Sequence, residues 1–353
     1  MNRLKKMVAL TLAVLLVAFL LAACGSGSSQ NQSGASGSSS SPQALQPQQT
    51  SQPSDGQSAS TGDKKIVIGF SQGWSGITWL RIMREDILAA AKELGVEVQV
   101  SDGDNKAEKQ LADIEDFISK KVDALIISTY QAQAIAPGAQ KALDAGIPVI
   151  VISSDIPGIT PTVHLTSDAK ETGRMAGEYI AQVLGGKGNI IQLTGREGSV
   201  VNRDRGLGFE EILAKYPDMK RVAQQTANYE RNEAIQVMED LLQVHKDIQA
   251  VYAHNDEMAM GASMVLRKHG YTIYPKDPNG VVVVGVDALE EPILKAIKDG
   301  DLSASLRYIT FGREAVQAAV DIINGKEVPQ KIILPTPLVT QENVDEYLTG
   351  SGG

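Results

Sequence analysis

A single cysteine, Cys24, serves all 353 residues, so no disulfide can form within the chain. Histidine is nearly as scarce. His164, His245, His254 and His269 form no His-x-x-x-His pair or other close metal spacing, and no metal is expected. Asp102-x-Asp104 opens like a calcium loop, but Lys106 and Ala107 occupy positions that need a ligand and a glycine. A Walker A loop, a Gly-x-Gly-x-x-Gly turn and a Gly-x-Ser-x-Gly elbow are also missing. With no assembled set of acid, base and nucleophile, the reading is no enzyme and no cofactor; an extracytoplasmic enzyme ranks below the binding roles developed below. Basic residues are in deficit too, 33 Lys and Arg against 42 Asp and Glu.

What is present begins with a leader. Arg3, Lys5 and Lys6 precede Met7 to Ala23, a run that is apolar except for Thr11 and ends in Leu21-Ala22-Ala23. A basic stretch, an apolar stretch and small residues at a cut site make an export signal, over residues 1–23. The ending Leu-Ala-Ala-Cys resembles the lipobox of bacterial lipoproteins, in which the cysteine is lipidated and becomes the new N-terminus. A thiolate can be alkylated by a lipid donor, and the lipid chains then bury CH₂ groups in the membrane. The alternative is a signal-anchor helix with an incidental cysteine, since these 17 residues could just span a thin bilayer. With Cys24 lipidated, the protein is tethered to the membrane outside the cytoplasm, on a Gram-positive surface or in a periplasm.

Gly25 to Gly62 is Ser, Gly, Gln and Pro, with Asp55 the only charge and Leu45 the only large aliphatic side chain. Such a segment cannot bury enough apolar surface to offset its ordering entropy. Residues 24–63 therefore read as a lipidated cysteine and a disordered tether, with a coil reach of roughly 35 Å. Removing residues 1–23 leaves 30 basic against 42 acidic side chains, a balance of −12. That sign repels phosphate backbones, so no nucleic-acid partner is expected.

From Lys64 on, short Val/Ile-rich runs alternate with amphipathic stretches. Ile66 to Phe70, Val96 to Val100, Ala124 to Ile127 and Pro148 to Ile152 read as buried parallel strands. Helices fall near Ile82 to Leu94, Ala107 to Lys120 and Ile135 to Leu143, with Gly95 and Gly146 at their C-terminal ends. The rhythm starts again with strands at Asn189 to Leu193, Ala250 to Tyr252 and Val281 to Val284, separated by helices near Val201 to Lys215, Glu230 to Val244 and Met258 to His269. About 280 residues in two such series suit two doubly wound α/β domains rather than one sheet.

Ligands of open α/β sheets bind beyond the carboxyl ends of the strands, and polar residues cluster there in both series. Trp74 and Trp79, the only tryptophans, share the loop after the first strand. An indole face suits stacking on the C–H face of a sugar ring, and Trp79 is the better candidate. Tyr252 to Met258 offers Asn255, whose amide both donates and accepts. Val284-Gly285-Val286-Asp287 ends a strand with a carboxylate suited to a vicinal diol, although a helix N-cap is the plain alternative. Gly195 to Arg205 adds Arg203 and Arg205, one of them structural, the guanidinium fork matching ring oxygens and hydroxyls.

From Lys65 to about Tyr347 the chain resembles the ribose-binding branch of the periplasmic binding proteins, the capture components of ATP-driven sugar importers. The motifs are Gly69-Phe70-Ser71-Gln72, Ser101-Asp102-Gly103-Asp104, Arg203-Asp204-Arg205-Gly206-Leu207-Gly208-Phe209, His254 through Ala262 and Val284-Gly285-Val286-Asp287. The tryptophan loop and Tyr252-Ala253-His254-Asn255-Asp256 look closest to galactofuranose-binding members. The resemblance implies a type I periplasmic binding protein fold: two doubly wound, Rossmann-like lobes joined by a three-crossover hinge. The N-terminal lobe would hold residues 64–166 and 309–335, and the C-terminal lobe 167–308 and 336–347. It implies Ser71, Ser75 and Trp79 as ligand-binding residues of one lobe, and Arg203, Tyr229, Asn255 and Asp287 of the other. Tyr308 falls where relatives often use Gln.

One departure stands out. After Ile152 the family commonly carries an Asp-Arg pair, whereas this chain reads Ser153-Ser154-Asp155. Asp155 could replace the Asp by a one-residue shift, and only Arg81 is at hand for the Arg. The resulting reading is a lipid-anchored, monomeric binding protein that captures a monosaccharide or small polyol for the transmembrane subunits of an ABC permease. Its alternative is a sensor presenting a sugar, nucleoside or signalling molecule to a membrane receptor. Transcriptional regulators of similar fold need a helix-turn-helix before the first strand, where this chain has its signal and tether.

Overall fold

A computed structural model describes residues 65–349. The export signal, Cys24 and the whole of the tether read above lie outside them. The first series runs β1 (Val67–Gln72), α1 (Thr78–Leu94), β2 (Glu97–Asp102), α2 (Ala107–Lys120), β3 (Ala124–Ser128), α3 (Ala132–Asp144), β4 (Val149–Ile152) and β5 (Val163–Thr166). β3 and β4 are buried along their whole length, as parallel strands covered on both faces must be. Alternate residues go to opposite faces: Ile126, Ile150 and Ile152 pack on the α1 side, Leu125, Ile127, Val149 and Val151 with Ile114, Phe117 and Ile135 of α2 and α3.

The second series runs α4 (Ala169–Leu184), β6 (Lys187–Thr194), α5 (Val200–Lys215), β7 (Asp218–Thr226), α6 (Arg231–Val244), β8 (Ala250–Ala253), α7 (Asp256–Lys268), β9 (Val282–Asp287), α8 (Glu291–Lys298) and β10 (Ala304–Arg307). After it come α9 (Gly312–Ile323), β11 (Lys331–Ile333), β12 (Leu338–Thr340) and α10 (Val344–Leu348).

The strands form two sheets with the same plan, β2-β1-β3-β4-β5-β11 and β7-β6-β8-β9-β10-β12. Every pair is parallel except β10 with β12. The expected α/β class with two doubly wound sheets is therefore what the chain builds. Strand order reverses between β1 and β3 and between β6 and β8, the switch points at which open sheets bind ligands. The chain passes from sheet to sheet three times, after β5, after β10 and after β11. Ser167, on the first passage, donates through Oγ to the carbonyl of Leu334 on the third at 2.7 Å, and Thr172 and Thr336 hydroxyls meet at 3.4 Å.

Helix α4 starts with a capping arrangement in which Asp168 accepts from the Glu171 N–H at 2.8 Å. Farther along, α4 and α5 touch backbone to backbone. A Cβ on Gly173 would stand 2.0 Å from the Arg205 carbonyl oxygen, and one on Gly208 would stand 1.8 Å from that of Lys170. Only glycine at both positions permits this approach, and the turn of α5 it fixes is the one that carries Arg205.

Candidate functional site

The carboxyl ends of both sheets face one narrow, partly open cavity of about 40 Å³. From the first sheet's side it is lined by Trp79 and its neighbours Ile77 and Leu80, by Ser128, Thr129 and Tyr130 beyond β3, and by Ile152, Ser153 and Ser154 at the end of β4. The second sheet's side brings Ser199, Val201 and Arg205 of the β6–α5 segment, Tyr229 after β7, Asn255 after β8 and Asp287 at the end of β9; Tyr308 follows β10.

Arg205 is 3 % exposed and projects from α5, donating through Nη1 to the carbonyl oxygen of His254. Its guanidinium carbon lies 4.7 Å from the centre of the Tyr308 ring, and its Nε has no hydrogen-bond partner. Burial works against this cation, but Asp287 together with Tyr229, Tyr308 and Tyr252 outweighs it and holds its pKa above the ordinary value. Burial pushes the Asp287 carboxyl well above the usual carboxylate range, only partly countered by Arg205. A ligand hydroxyl donating to Asp287 would favour its ionised form.

The pair is held by groups that do not themselves reach the cavity. His254 is fully buried, with Nδ1 2.7 Å from Asn202 Oδ1 and Nε2 2.9 Å from Gln192 Nε2. Asn202 Oδ1 accepts, so the proton sits on Nδ1 and Nε2 accepts from Gln192. Burial, then the charge of Arg205, keeps His254 far below its usual pKa and neutral. Asp256 accepts from the Ser305 hydroxyl and the Ala288 N–H, both at 2.6 Å, and so ties down the turn that follows Asp287. Ser153, Tyr229 and Asp287 have φ of 66°, 67° and 129°, a region that side chains other than glycine rarely occupy. The strained Ser153 is pinned through its carbonyl, which accepts from Thr166 Oγ1 at 2.9 Å and bonds His164 Nε2 at 3.1 Å.

Of the residues picked from the sequence, Trp79, Ser153, Tyr229, Asn255, Asp287 and Tyr308 meet at this cavity. Trp79 gives its indole N–H to the Tyr308 carbonyl at 3.1 Å, and the Tyr308 hydroxyl lies 3.2 Å from Ser153 Oγ. Asn255 also has a structural use. It is the N-cap of α7, accepting from the Met258 N–H at 3.0 Å while donating to the Tyr229 carbonyl at 3.0 Å. Asp287 is not a cap, since α8 starts at Glu291 behind Glu290.

Five picks lie elsewhere. Ser71 is fully buried against Gln110, which donates to its hydroxyl at 3.3 Å. Ser75 bonds the side chain of Asp102. Arg81 is half-exposed and paired with Glu85 at 2.9 Å and Glu290 at 2.8 Å. Asp155 is exposed beside His164 Nδ1 at 3.0 Å. Arg203 turns to solvent with Asp204, 2.8 Å away, and the arginine at the cavity is Arg205. Ser128, Thr129 and Tyr130 were missed although they directly follow a recognised strand, where the strand-end rule points.

Residues 68–327 match the family described as the periplasmic binding protein domain. The chain belongs to this family. Among its relatives, the ribose import binding protein RbsB of Bacillus subtilis is 35% identical over 301 residues, 85% of this chain and 94% of its own. The galactofuranose-binding protein YtfQ of Escherichia coli is 28% identical over 68% of this chain and 76% of its own. Among solved structures, an ABC transporter solute binding protein from Bacillus halodurans with bound myo-inositol matches with a TM-score of 0.74 at 32% identity, covering 82% of this chain and 99% of that one. The fructose-binding periplasmic domain of a hybrid two-component system matches with a TM-score of 0.73 at 34% identity, over 81% and 94%. These relatives are binding proteins by name, and the family description accords with a place outside the cytoplasm.

Proposed function

We propose that this chain captures a monosaccharide or small polyol between its two sheets outside the cytoplasm and hands it to an ABC importer. The observation that carries the reading is the placing of Arg205 beside Asp287 in an aromatic-walled cavity between the two sheets. A guanidinium and a carboxylate together match the acceptor and donor faces of a diol, while Trp79, Tyr229 and Tyr308 offer faces to ring C–H groups. In this reading residues 64–166 with 309–335 move as one lobe and 167–308 with 336–347 as the other, hinging at the three passages, and the protein works as a monomer. Titrating intrinsic tryptophan fluorescence with pentoses, hexoses and polyols tests it. A saturable change with one of them, lost in Asp287→Ala, is the expected result; no response from folded protein across the panel removes the sugar assignment.

Lipidation of Cys24 belongs to the same proposal. The Cys24→Ser chain is expected in the soluble fraction and the unaltered chain with membranes, and equal partitioning of the two would refute the anchor. A receptor-coupled sensor is the second reading, favoured by the likeness to the fructose-binding domain of a two-component system. Deleting the cognate permease separates the two: uptake ends in the first, and a transcriptional response survives in the second.

A further inference from the structure

We infer that Tyr130 is a specificity-determining residue, giving its hydroxyl to a ligand hydroxyl in a cavity where the other two phenols are already bonded to protein. The inference rests on the sugar-binding reading above and deepens it by one residue. Three tyrosines line the cavity, Tyr130 beyond β3 together with Tyr229 and Tyr308. The Tyr308 hydroxyl lies 3.2 Å from Ser153 Oγ, and that of Tyr229 is hydrogen-bonded to the Ser199 side chain. The Tyr130 hydroxyl has no hydrogen-bond partner among the described residues.

The backbone that carries this phenol is fixed on both sides. Gln131 donates its N–H to Thr129 Oγ1 at 3.0 Å, closing a turn around Tyr130, and its Nε2 reaches the Asn105 carbonyl at 2.9 Å. Helix α3 begins at the next residue, Ala132. Although Tyr130 comes from the first sheet's side, its phenol feels the charges of Arg205, Arg196 and Asp287, all from the second. Burial, with Tyr229 and Asp287 adding to it, outweighs the two arginines and pushes the phenol above its ordinary pKa, so the proton stays on the oxygen and is available to donate. Ser128 and Ser154 also bring hydroxyls without a partner among the described residues, but close to the main chain, whereas a phenol carries its hydroxyl farther into the void. A polar group shut into a cavity without a partner is costly, and a ligand hydroxyl supplies the bond.

The test is isothermal titration of the full chain with D-ribose, D-galactose, D-fructose and myo-inositol. Tyr130→Phe keeps the ring and removes one oxygen. The sugar or polyol that binds is expected to lose about threefold to tenfold in affinity with this variant, the worth of one neutral hydrogen bond. Its monodeoxy analogues locate the partner. One of them is expected to bind the two proteins equally, because it lacks the hydroxyl that Tyr130 meets, while the others keep the full loss. An unchanged affinity in folded Tyr130→Phe, or an equal loss across every monodeoxy analogue, overturns the inference and leaves the sugar-binding reading standing. Failure of all four to bind the folded, unaltered chain overturns both.

Discussion

Arg205 and Arg203 stand two residues apart on one helix and meet opposite fates, one under protein beside a carboxylate and the other in solvent. Arg205→Met removes charge-assisted bonds worth about 1.5–3 kcal/mol each, so ligand affinity is expected to fall at least tenfold, read by calorimetry. Arg203→Ala should leave affinity within about threefold, because a solvent-exposed ion pair contributes little. Asp256 sets a pH dependence of stability. Burial raises its pKa from 3.8 to about 6, so the folded state prefers the protonated carboxyl. Its contribution is full below about pH 4 and is lost as pH rises through 6, a change of about 3 kcal/mol at most. Chemical denaturation of the Asp256→Asn chain between pH 4 and 7 should lack this decline, and an identical decline in both chains would refute the assignment.

The contact of α4 with α5 is the element on which the site depends. Gly173→Ala would drive a methyl into the Arg205 carbonyl, forcing the helices apart at a cost of about 1–3 kcal/mol. Thermal melting should show that loss, and ligand affinity should fall with it because Arg205 rides on the displaced turn. The same helix shows where sequence reading ran out. Strands such as Ala124–Ser128 and Val149–Ile152 announce themselves by continuous burial, whereas β7 is a polar edge strand, Asp218–Thr226, with no pattern to betray it. Along α5 the usual stripe is blurred: Leu207 is exposed and Arg205 buried, so periodicity could not say which arginine faces inward. Asn255 escaped a full reading for another reason, since one residue lines the cavity, caps α7 through Oδ1 and donates through Nδ2 to the Tyr229 carbonyl. Asp287 and Tyr229 were legible from the loops that hold them, Ser128 to Tyr130 were not although they follow a strand, and the phase of a weakly amphipathic helix could not be read.

At the scale of the molecule, two contacts join the loops of one sheet to those of the other outside the cavity. The guanidinium of Arg196, after β6, lies 3.8 Å from the Trp74 ring centre in the loop after β1, and Arg81 of α1 pairs with Glu290 after β9. If the lobes hinge, these contacts exist only when the cleft is shut, so weakening them shifts the population toward the open form. Trp74→Ala is expected to speed ligand release severalfold in stopped-flow displacement, in line with about 0.5–2 kcal/mol for a cation–π contact. An unchanged release rate would show that the contact does not guard the exit.

The three passages between the sheets also govern the order in which the protein can be completed. β5 ends at Thr166, but the strand that closes its outer edge, β11, begins only at Lys331. A ribosome adding about 5–20 residues per second takes roughly 10–30 s to make that intervening stretch. Throughout that interval the front half carries an open strand edge and cannot finish folding by itself. The chain is thus kept unfinished for nearly the whole of its synthesis, the condition in which a narrow secretory channel can still accept it.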